Sequence, residues 1–348
     1  MKSPTLVNQV QITRHGGPRV LRVVKGHQPQ PQSGEVLIRN HFAGINFADI
    51  MTRLGLYQGA PKQPAVPGFE IAGEVEHIGP GVSDFRLGDQ VLAITRFGGY
   101  SSHVVAPVEQ VRMVPEGVSL EAAAALPVTY LTAYLMLFEQ GNLRPGQTVL
   151  IHNAGGGVGT AAVQLADMVG ARIFGTSSRA KHERLRRMGV DLCIDYREED
   201  FVRLVREATA GRGVDLILDA QGPANFRRSL KALAPLGTLV MYGVQHNIGT
   251  TRLLSAPLKL LWELLAVRFS PLRLMNTNWG IYGFHLGRLW THPEPVSRAM
   301  LQLVTWLGES KINRIVDRIF PYHQAAQAHA YIQDRRNFGK VLLDFREL

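Results

Sequence analysis

The sequence predicts an α/β fold with a doubly wound parallel sheet, preceded by a region rich in β-strands. Between residues 148 and 243, short apolar runs alternate with stretches of helical periodicity, which is typical of a parallel sheet with helices on both faces. Right-handed crossovers between such strands lead to the doubly wound arrangement. Roughly the first 125 residues instead contain short apolar runs interrupted by Gly and Pro, as strands and turns do.

The predicted elements follow this division along the chain. Strands are expected at 35–39, 70–77, 90–94, 148–153, 171–176, 191–196, 214–220, 238–243 and 340–345, with a sixth strand of the parallel sheet at 279–284. Helices are expected at 129–139, 158–169, 179–188, 199–208, 223–233, 294–307 and 323–335. Residues 41–58 predict a loop or a short helix, and the apolar and basic segment 251–274 departs from the alternation.

Composition narrows the class of protein. The chain has 348 residues, of which 45 % are apolar, so it can form about two domains with large cores. A single cysteine, Cys193, excludes an internal disulfide framework and a four-cysteine metal site, and favours a reducing cytoplasm. No apolar run reaches the length of a membrane span, and the N-terminus lacks the apolar core of a signal peptide.

The formal net charge is +10, which fits an anionic cofactor, a nucleic acid, a membrane surface or simply a basic solvated surface. No finger spacing, aromatic RNA-binding signature or basic run interleaved with aromatics is present in the sequence. Nucleic acid is therefore not an expected partner.

A glycine-rich turn lies between the predicted strand 148–153 and the helix after it. Ala154, Gly156 and Gly159 occupy the three small-residue positions of a dinucleotide-binding fingerprint, with Gly157 and Val158 between them. Small residues let the backbone approach a pyrophosphate, while the N-terminus of the helix supplies N–H groups. The strand–turn–helix context predicts a nicotinamide dinucleotide site.

The end of the second predicted strand favours NADP(H) over NAD. NAD-binding enzymes place an acidic residue there to accept a hydrogen bond from the ribose 2′-hydroxyl. This sequence instead has Ser178, Arg179 and Lys181, which could hold a 2′-phosphate, and Tyr196 could pack on the same ribose. Gly222, Gly243 and Phe284 follow the next three strands, so we expect them to line the nucleotide cleft.

Several segments together resemble one family of oxidoreductases. They are NFAD at 46–49, GLY at 55–57, PGFE at 67–70, GGY at 98–100 and the glycine-rich run at 154–164. These resemble the zinc-independent quinone oxidoreductase (zeta-crystallin-like) group of the medium-chain dehydrogenase/reductase superfamily. YGFHLG at 282–287 and NFGKV at 337–341 are similar, more narrowly, to its vesicle amine transport protein-like branch.

The resemblance implies two domains and a homodimer. A β-rich GroES-like catalytic domain would comprise residues 1–128 and 286–348, and a Rossmann-type NADP-binding domain residues 129–285. The dimer would form by pairing the edges of the nucleotide-domain sheets.

The resemblance also implies that no metal is required. Zinc-dependent relatives would have Cys at the position of Asn46 and His at that of Phe69, and only the acidic Glu70 of that motif remains. We expect Glu70 to be a partly buried acid that binds a backbone donor or a basic partner. Without a Lewis acid to lower the pKa of an alcohol, alcohol oxidation is disfavoured, whereas hydride attack on an enone or a quinone remains feasible.

Asn46 and Tyr57 are the catalytic candidates, because the equivalent positions in the resembling enzymes face the nicotinamide. The Asn46 amide would orient cofactor or substrate, and the Tyr57 hydroxyl would donate to a developing oxyanion. The alternatives are a turn residue for Asn46 and an amphipathic cleft-edge residue for Tyr57. Asp49 is expected to cap a helix.

The resemblance implies further cofactor contacts at Thr129, Asn337 and Lys340. Thr129 could instead be an ordinary helix N-cap, and Lys340 a simple surface charge.

The leading hypothesis is an NADPH-dependent reductase of quinones or α,β-unsaturated carbonyls. The alternative is a nucleotide-binding, membrane-associated or structural protein with little turnover, in which segment 251–274 docks on an anionic membrane rather than forming a pocket wall. An enoyl thioester substrate also stays open, since pocket loops vary freely on one fold.

Overall fold

The computed structural model describes residues 5–244, 268–313 and 315–347. The chain forms two compact units, which we call unit 1 (Met1–Leu131 with Trp290–Leu348) and unit 2 (Thr132–Leu289). Among the described residues, no helix is both long and apolar enough to cross a membrane.

Unit 1 is dominated by β-strands. Its N-terminal strands are β1 Leu6–Ile12, β2 Leu21–His27, β3 Glu35–Ile45, β4 Glu70–Ile78, β5 Gln90–Ile94, β6 His103–Pro107 and β7 Val111–Met113. Helices α1 Phe47–Leu54, α2 Leu120–Ala124 and α3 Pro127–Tyr134 accompany them, and α3 continues into unit 2 as a π-helical turn, Leu135–Gln140.

The chain then forms unit 2 before it returns to unit 1. Unit 2 contains β8 Thr148–His152, α4 Gly157–Met168, β9 Arg172–Ser177, α5 His182–Arg187, β10 Leu192–Asp195, α6 Phe201–Ala208, β11 Val214–Asp219, α7 Pro223–Leu230, β12 Leu233–Met241, α8 Pro271–Thr277 and β13 Gly280–Gly283. After it returns to unit 1, the chain forms α9 Pro293–Gly308, β14 Val316–Pro321, α10 Ala325–Gln333 and β15 Lys340–Asp344.

The sheet of unit 2 has six strands in the order β10-β9-β8-β11-β12-β13, and every neighbouring pair is parallel. Numbered within this sheet, the order is 3-2-1-4-5-6, the doubly wound arrangement of dinucleotide-binding domains. The predicted Rossmann-type fold is confirmed, including its sixth strand. Because all strands run the same way, their carboxyl ends lie along one edge.

Unit 1 has a seven-stranded sheet in the order β14-β15-β3-β4-β5-β7, with β6 paired to β3, and a separate β1–β2 hairpin. Its pairs are antiparallel except β14–β15. A buried cluster fills the unit, including Val36, Ile38, Ile71 and Tyr100.

Several predicted boundaries were wrong. Strand β12 begins at Leu233 rather than 238, because Pro235 and Gly237 lie inside a bulge where Leu236 adopts a φ of 64°. The expected helix 179–188 is a 3-10 turn, Arg179–Lys181, followed by α5. Most of segment 251–274 lies outside the described residues.

Candidate functional site

The glycine-rich turn of unit 2 has the geometry that its sequence predicts. Helix α4 begins at Gly157, with Gly156 as its N-cap, directly after β8. A side chain at Gly159 would place its Cβ 2.2 Å from the carbonyl oxygen of Asn153, so only glycine lets the helix pack this closely on the strand end. The N-terminus of α4 therefore lies at the carboxyl edge of the sheet, where dinucleotide phosphates bind in this fold.

A buried polar chain, which the sequence analysis missed, supports this turn. The N–H of Asn153 donates to Thr176 Oγ1 at 3.3 Å, and that hydroxyl lies 3.1 Å from His152 Nδ1. On the other side, His152 Nε2 lies 3.1 Å from Ser229 Oγ, which donates to Asp219 at 2.7 Å.

Donor and acceptor roles along this chain follow from its carboxylate end. Because the Asp219 carboxylate can only accept, Ser229 donates to it and accepts from His152 Nε2–H, so Nδ1 accepts from Thr176. Burial lowers the pKa of His152, which keeps the ring neutral with one donor and one acceptor. A lone histidine in an apolar strand gives no sequence signal of this role.

The expected 2′-phosphate region combines positive and negative side chains. Arg179 Nη2 lies 2.9 Å from Glu198 Oε2, and its Nε lies 3.7 Å from Asp195. The guanidinium of Arg197 lies 5.6 Å from the ring centre of Tyr196. Ser178 is the N-cap of the 3-10 turn that contains Arg179 and Lys181. Asp195 is the last residue of β10 and Glu198 follows it in the next turn, so the run 176–181 alone could not reveal these carboxylates.

Three further predicted cofactor positions lie at the same sheet edge. Gly222 follows β11 with a φ of 118°, and Gly243 follows β12. Phe284 follows β13, and its N–H donates to the carbonyl of Met241 at 2.9 Å. Their placement agrees with strand ends along one edge, while their contact with a cofactor stays a prediction.

In unit 1, Asn46 lies between β3 and α1, where its carboxamide is held at both ends. Its Nδ2 donates to Glu70 Oε1 at 2.7 Å, and its Oδ1 accepts from Lys340 Nζ at 2.7 Å. Lys340 also forms an ion pair with Glu70 Oε1, and the second Glu70 oxygen accepts from the N–H of Val128 at 2.7 Å. The side chains of Glu70 and Lys340 are 0 % and 3 % exposed.

These contacts correct two expectations. Lys340 is not a surface charge, because it pairs with a carboxylate inside unit 1. Glu70 is fully rather than partly buried. It binds both of the expected kinds of partner, a backbone donor at Val128 and a basic side chain, Lys340. A buried ion pair of this kind needs further hydrogen bonds to offset desolvation, which Asn46 and Val128 supply.

Asp49 contributes to the cap of α1 from position N3, while Asn46 is the N-cap residue. The Asp49 carboxylate accepts from the N–H of Asn46 at 2.8 Å and from the N–H of Gly68 at 2.9 Å, which ties the start of α1 to the segment before β4. Complete burial raises the pKa of Asp49 to about 7. Beyond it, the Tyr100 hydroxyl lies 3.0 Å from His329 Nε2.

Tyr57 belongs to an aromatic cluster with Phe69 and Phe97. Its ring centre lies 5.3 Å from that of Phe69 and 6.3 Å from that of Phe97. Phe69 contacts the ring of Tyr57, and the next residue, Glu70, binds the amide of Asn46. One short segment therefore contacts both catalytic candidates. This packing fits both roles considered for Tyr57.

The remaining predicted contacts have local partners. Helix α3 begins at Pro127, so Thr129 lies inside it, where its hydroxyl donates to the carbonyl of Ala125 at 2.8 Å. The side chain of Asn337 donates to the carbonyl of Gly339 at 2.8 Å.

A zinc site does not fit the residues at this position. Phe69 has no ligand atom, and the amide of Asn46 and the carboxylate of Glu70 are bonded to each other and to a lysine ammonium. Within the described ranges, no group of three or more His, Cys, Asp or Glu side chains could hold a metal ion.

The parallel nucleotide-binding sheet and the β-rich unit together define a two-domain oxidoreductase architecture. The family profile described as an alcohol dehydrogenase GroES-like domain matches residues 32–116, and that described as a zinc-binding dehydrogenase matches residues 188–343. The chain belongs to the medium-chain dehydrogenase/reductase superfamily.

Individual relatives agree with this assignment. The synaptic vesicle membrane protein VAT-1 homolog of Rattus norvegicus is 40 % identical over 317 residues, covering 90 % of this chain and 78 % of the relative. The 2-haloacrylate reductase of a Burkholderia species is 34 % identical over 348 residues, covering 97 % and 99 %. The crystal structure of Escherichia coli quinone oxidoreductase complexed with NADPH has a TM-score of 0.85 and 30 % identity, covering 97 % and 99 %.

Proposed function

We propose that this protein is an NADPH-dependent reductase of quinones or α,β-unsaturated carbonyl compounds. The observation that carries the proposal is the fixed Asn46 amide, held by Glu70 and Lys340 at the position where zinc-dependent relatives have a ligand. Such a site offers hydrogen-bond donors to a carbonyl oxygen but no Lewis acid. Two similar proteins support the choice of reaction, since one is named a 2-haloacrylate reductase and another a quinone oxidoreductase.

The cofactor would be held by the glycine-rich turn of unit 2. The N–H groups at the start of α4, from Gly157 to Gly159, would meet the pyrophosphate, while Arg179, Lys181 and Ser178 would meet the 2′-phosphate. When bound, the nicotinamide supplies hydride. The comparison structure that contains NADPH supports this choice of cofactor.

The residues of the chain act on the oxygen of the substrate. Hydride attack on the β-carbon of an enone moves negative charge to the carbonyl oxygen. In the proposed mechanism, the Tyr57 hydroxyl and an N–H of Asn46 donate to that oxygen and stabilise the transition state. Phe69 and Phe97, which pack on Tyr57, would supply apolar surface to the substrate and exclude water.

The test is steady-state oxidation of NADPH, with NADH as the comparator, against quinones, simple enones, 2-haloacrylates and enoyl thioesters. We expect turnover with at least one of the first three classes and a preference for NADPH. Tight NADPH binding without turnover of any of them would instead support the nucleotide-binding alternative. Enoyl thioesters are themselves α,β-unsaturated carbonyl compounds, so turnover of these alone would keep the reductase and narrow its substrates to thioesters.

We also propose that two copies associate through the free edge of the unit 2 sheet. Within the described part of the chain, β13 pairs with β12 on one side, and Leu236, Leu272, Met275 and Tyr282 are exposed in this region of unit 2. Light scattering after gel filtration should give about twice the monomer mass of 38.5 kDa. A monomer at micromolar concentration would contradict this.

A further inference from the structure

The Asn46 carboxamide has partners of opposite chemistry at its two ends. At Oδ1 lies the Lys340 ammonium, which can only donate, and at Nδ2 lies the Glu70 carboxylate, which can only accept. Turning the amide over would place its N–H groups against the ammonium and its oxygen against the carboxylate. The two charged side chains therefore allow one orientation of Asn46.

This orientation leaves a defined group available. Of the two hydrogens on Nδ2, one is donated to Glu70, and the second remains for an acceptor outside this cluster. The ammonium bonded to Oδ1 draws electron density from the amide nitrogen, which makes the second N–H a stronger donor. Asn46 is also more exposed, at 8 %, than either charged partner.

We infer that Lys340 is a positioning residue, which holds the Asn46 carboxamide so that its second Nδ2–H donates to the carbonyl oxygen of the substrate. This inference rests on the proposed function and gives Lys340 a task different from a direct cofactor contact. The geometry favours it, because the buried Lys340 ammonium bonds to Asn46 and Glu70. Glu70 completes the arrangement by holding both Lys340 and the Asn46 nitrogen.

The first test uses the protein without cofactor or substrate. In protein labelled with ¹⁵N at asparagine, the side-chain NH₂ signals of Asn46 are assigned by their loss in Asn46→Ala. We expect two well-separated proton shifts in the wild type, because only one hydrogen meets a carboxylate, and a large change of both in Lys340→Met. Lys311→Met is the matched control, since Lys311 pairs with Glu309 at the surface, and it should leave both signals in place.

The second test separates positioning from cofactor binding. Lys340→Met should lower kcat about 10- to 100-fold, which is less than the roughly 10²–10³-fold cost of removing an oxyanion donor, because the donor is displaced but still present. The Kd for NADPH should stay within about twofold. In an Asn46→Ala background, Lys340→Met should lower kcat by less than about twofold relative to Asn46→Ala alone, because the residue that Lys340 positions is already gone. Full additivity of the two losses would overturn the inference, and so would a raised Kd for NADPH with kcat unchanged.

A second variant covers a failure of Lys340→Met to fold, since that substitution leaves Glu70 buried without a counter-charge. Glu70→Gln/Lys340→Met removes both charges together and should show the same loss of kcat and the same change in the Asn46 signals. Wild-type kcat in this double variant would refute the positioning role. Absence of turnover in the wild type would refute the proposed reductase instead, and the NMR comparison would then decide the Lys340–Asn46 relationship by itself.

Discussion

The guanidinium of Arg179 lies 2.9 Å from the carboxylate of Glu198, at the end of the second strand of the nucleotide-binding sheet. The residue expected to bind a 2′-phosphate thus already has an anionic partner. Both side chains are 67 % exposed, and such surface pairs typically contribute about 0–1 kcal/mol. A dianionic phosphate can therefore displace Glu198, but Glu198 lowers the net attraction.

Replacing Arg179 and Lys181 together with Ala should weaken NADPH binding about 10- to 100-fold, because a charged hydrogen bond contributes about 1.5–3 kcal/mol. NADH binding should be nearly unchanged. Fluorescence titration of both cofactors measures the effect. Arg203→Ala is a suitable control, since Arg203 is an exposed arginine paired with Glu207 on α6. Equal losses for both cofactors would show that Arg179 and Lys181 do not recognise the 2′-phosphate.

Glu198→Gln should act in the opposite direction. Removing the competing carboxylate should tighten NADPH binding by up to about fivefold, corresponding to at most about 1 kcal/mol for an exposed pair. The Kd for NADH should not fall. Titrations at low and at high salt provide the check, because an electrostatic gain must shrink as salt screens it. Unchanged NADPH affinity at low salt would mean that Glu198 does not compete.

The fold was largely predictable from the sequence, because it depends on periodic burial and on glycines at strand ends. The doubly wound parallel sheet and the turn from Ala154 to Gly159 followed from these signals. The pairing of Arg179 with Glu198 and the burial of Lys340 did not, since each depends on a partner brought close only by tertiary structure. Arg179 and Glu198 are 19 positions apart in the sequence, and Lys340 and Glu70 are 270 positions apart, so neither pair leaves a local sequence pattern.

Tyr57→Phe tests the proposed oxyanion donor. The ring contacts with Phe69 and Phe97 should survive, because only the hydroxyl is removed. We expect kcat to fall by up to about 10²-fold, with cofactor affinity preserved. The loss should be larger for simple enones than for quinones, because a quinone yields a stabilised phenolate.

Tyr331→Phe is the control for this substitution, since that hydroxyl donates to Asp317 at 2.8 Å and has no proposed role in catalysis. A rise in KM alone, for every substrate, would make Tyr57 a pocket wall that binds ground state and transition state equally.

Dialysis against a strong chelator should leave both activity and the free energy of unfolding unchanged. The reason is that Phe69 has no ligand atom and that Glu70 and Asn46 are engaged with Lys340. Elemental analysis before and after dialysis accompanies the assay. A stoichiometric zinc that leaves together with the activity would contradict the expectation.

The buried histidine His152 should make unit 2 less stable in mild acid. Burial lowers its pKa below the usual 6.5, an effect to which Arg228 adds and which Asp219 opposes. Below pH 6.5 the unfolded chain binds a proton that the folded chain does not. The stability present at neutral pH is therefore lost as the pH falls from 6.5 towards the folded pKa, by up to about 1.4 kcal/mol per pH unit.

The whole-protein profile combines groups of both signs, so the prediction concerns a difference between variants. His329 acts in the same direction as His152. Asp49 acts in the opposite direction: because its pKa is raised to about 7, its protonation stabilises the folded protein as the pH falls through that value.

In His152→Gln, the Gln amide can still accept from Thr176 and donate to Ser229 but cannot titrate. Urea denaturation between pH 7 and pH 5 should show a shallower acid loss for this variant than for the wild type. Equal slopes for His152→Gln and the wild type would show that His152 can be protonated without loss of the fold.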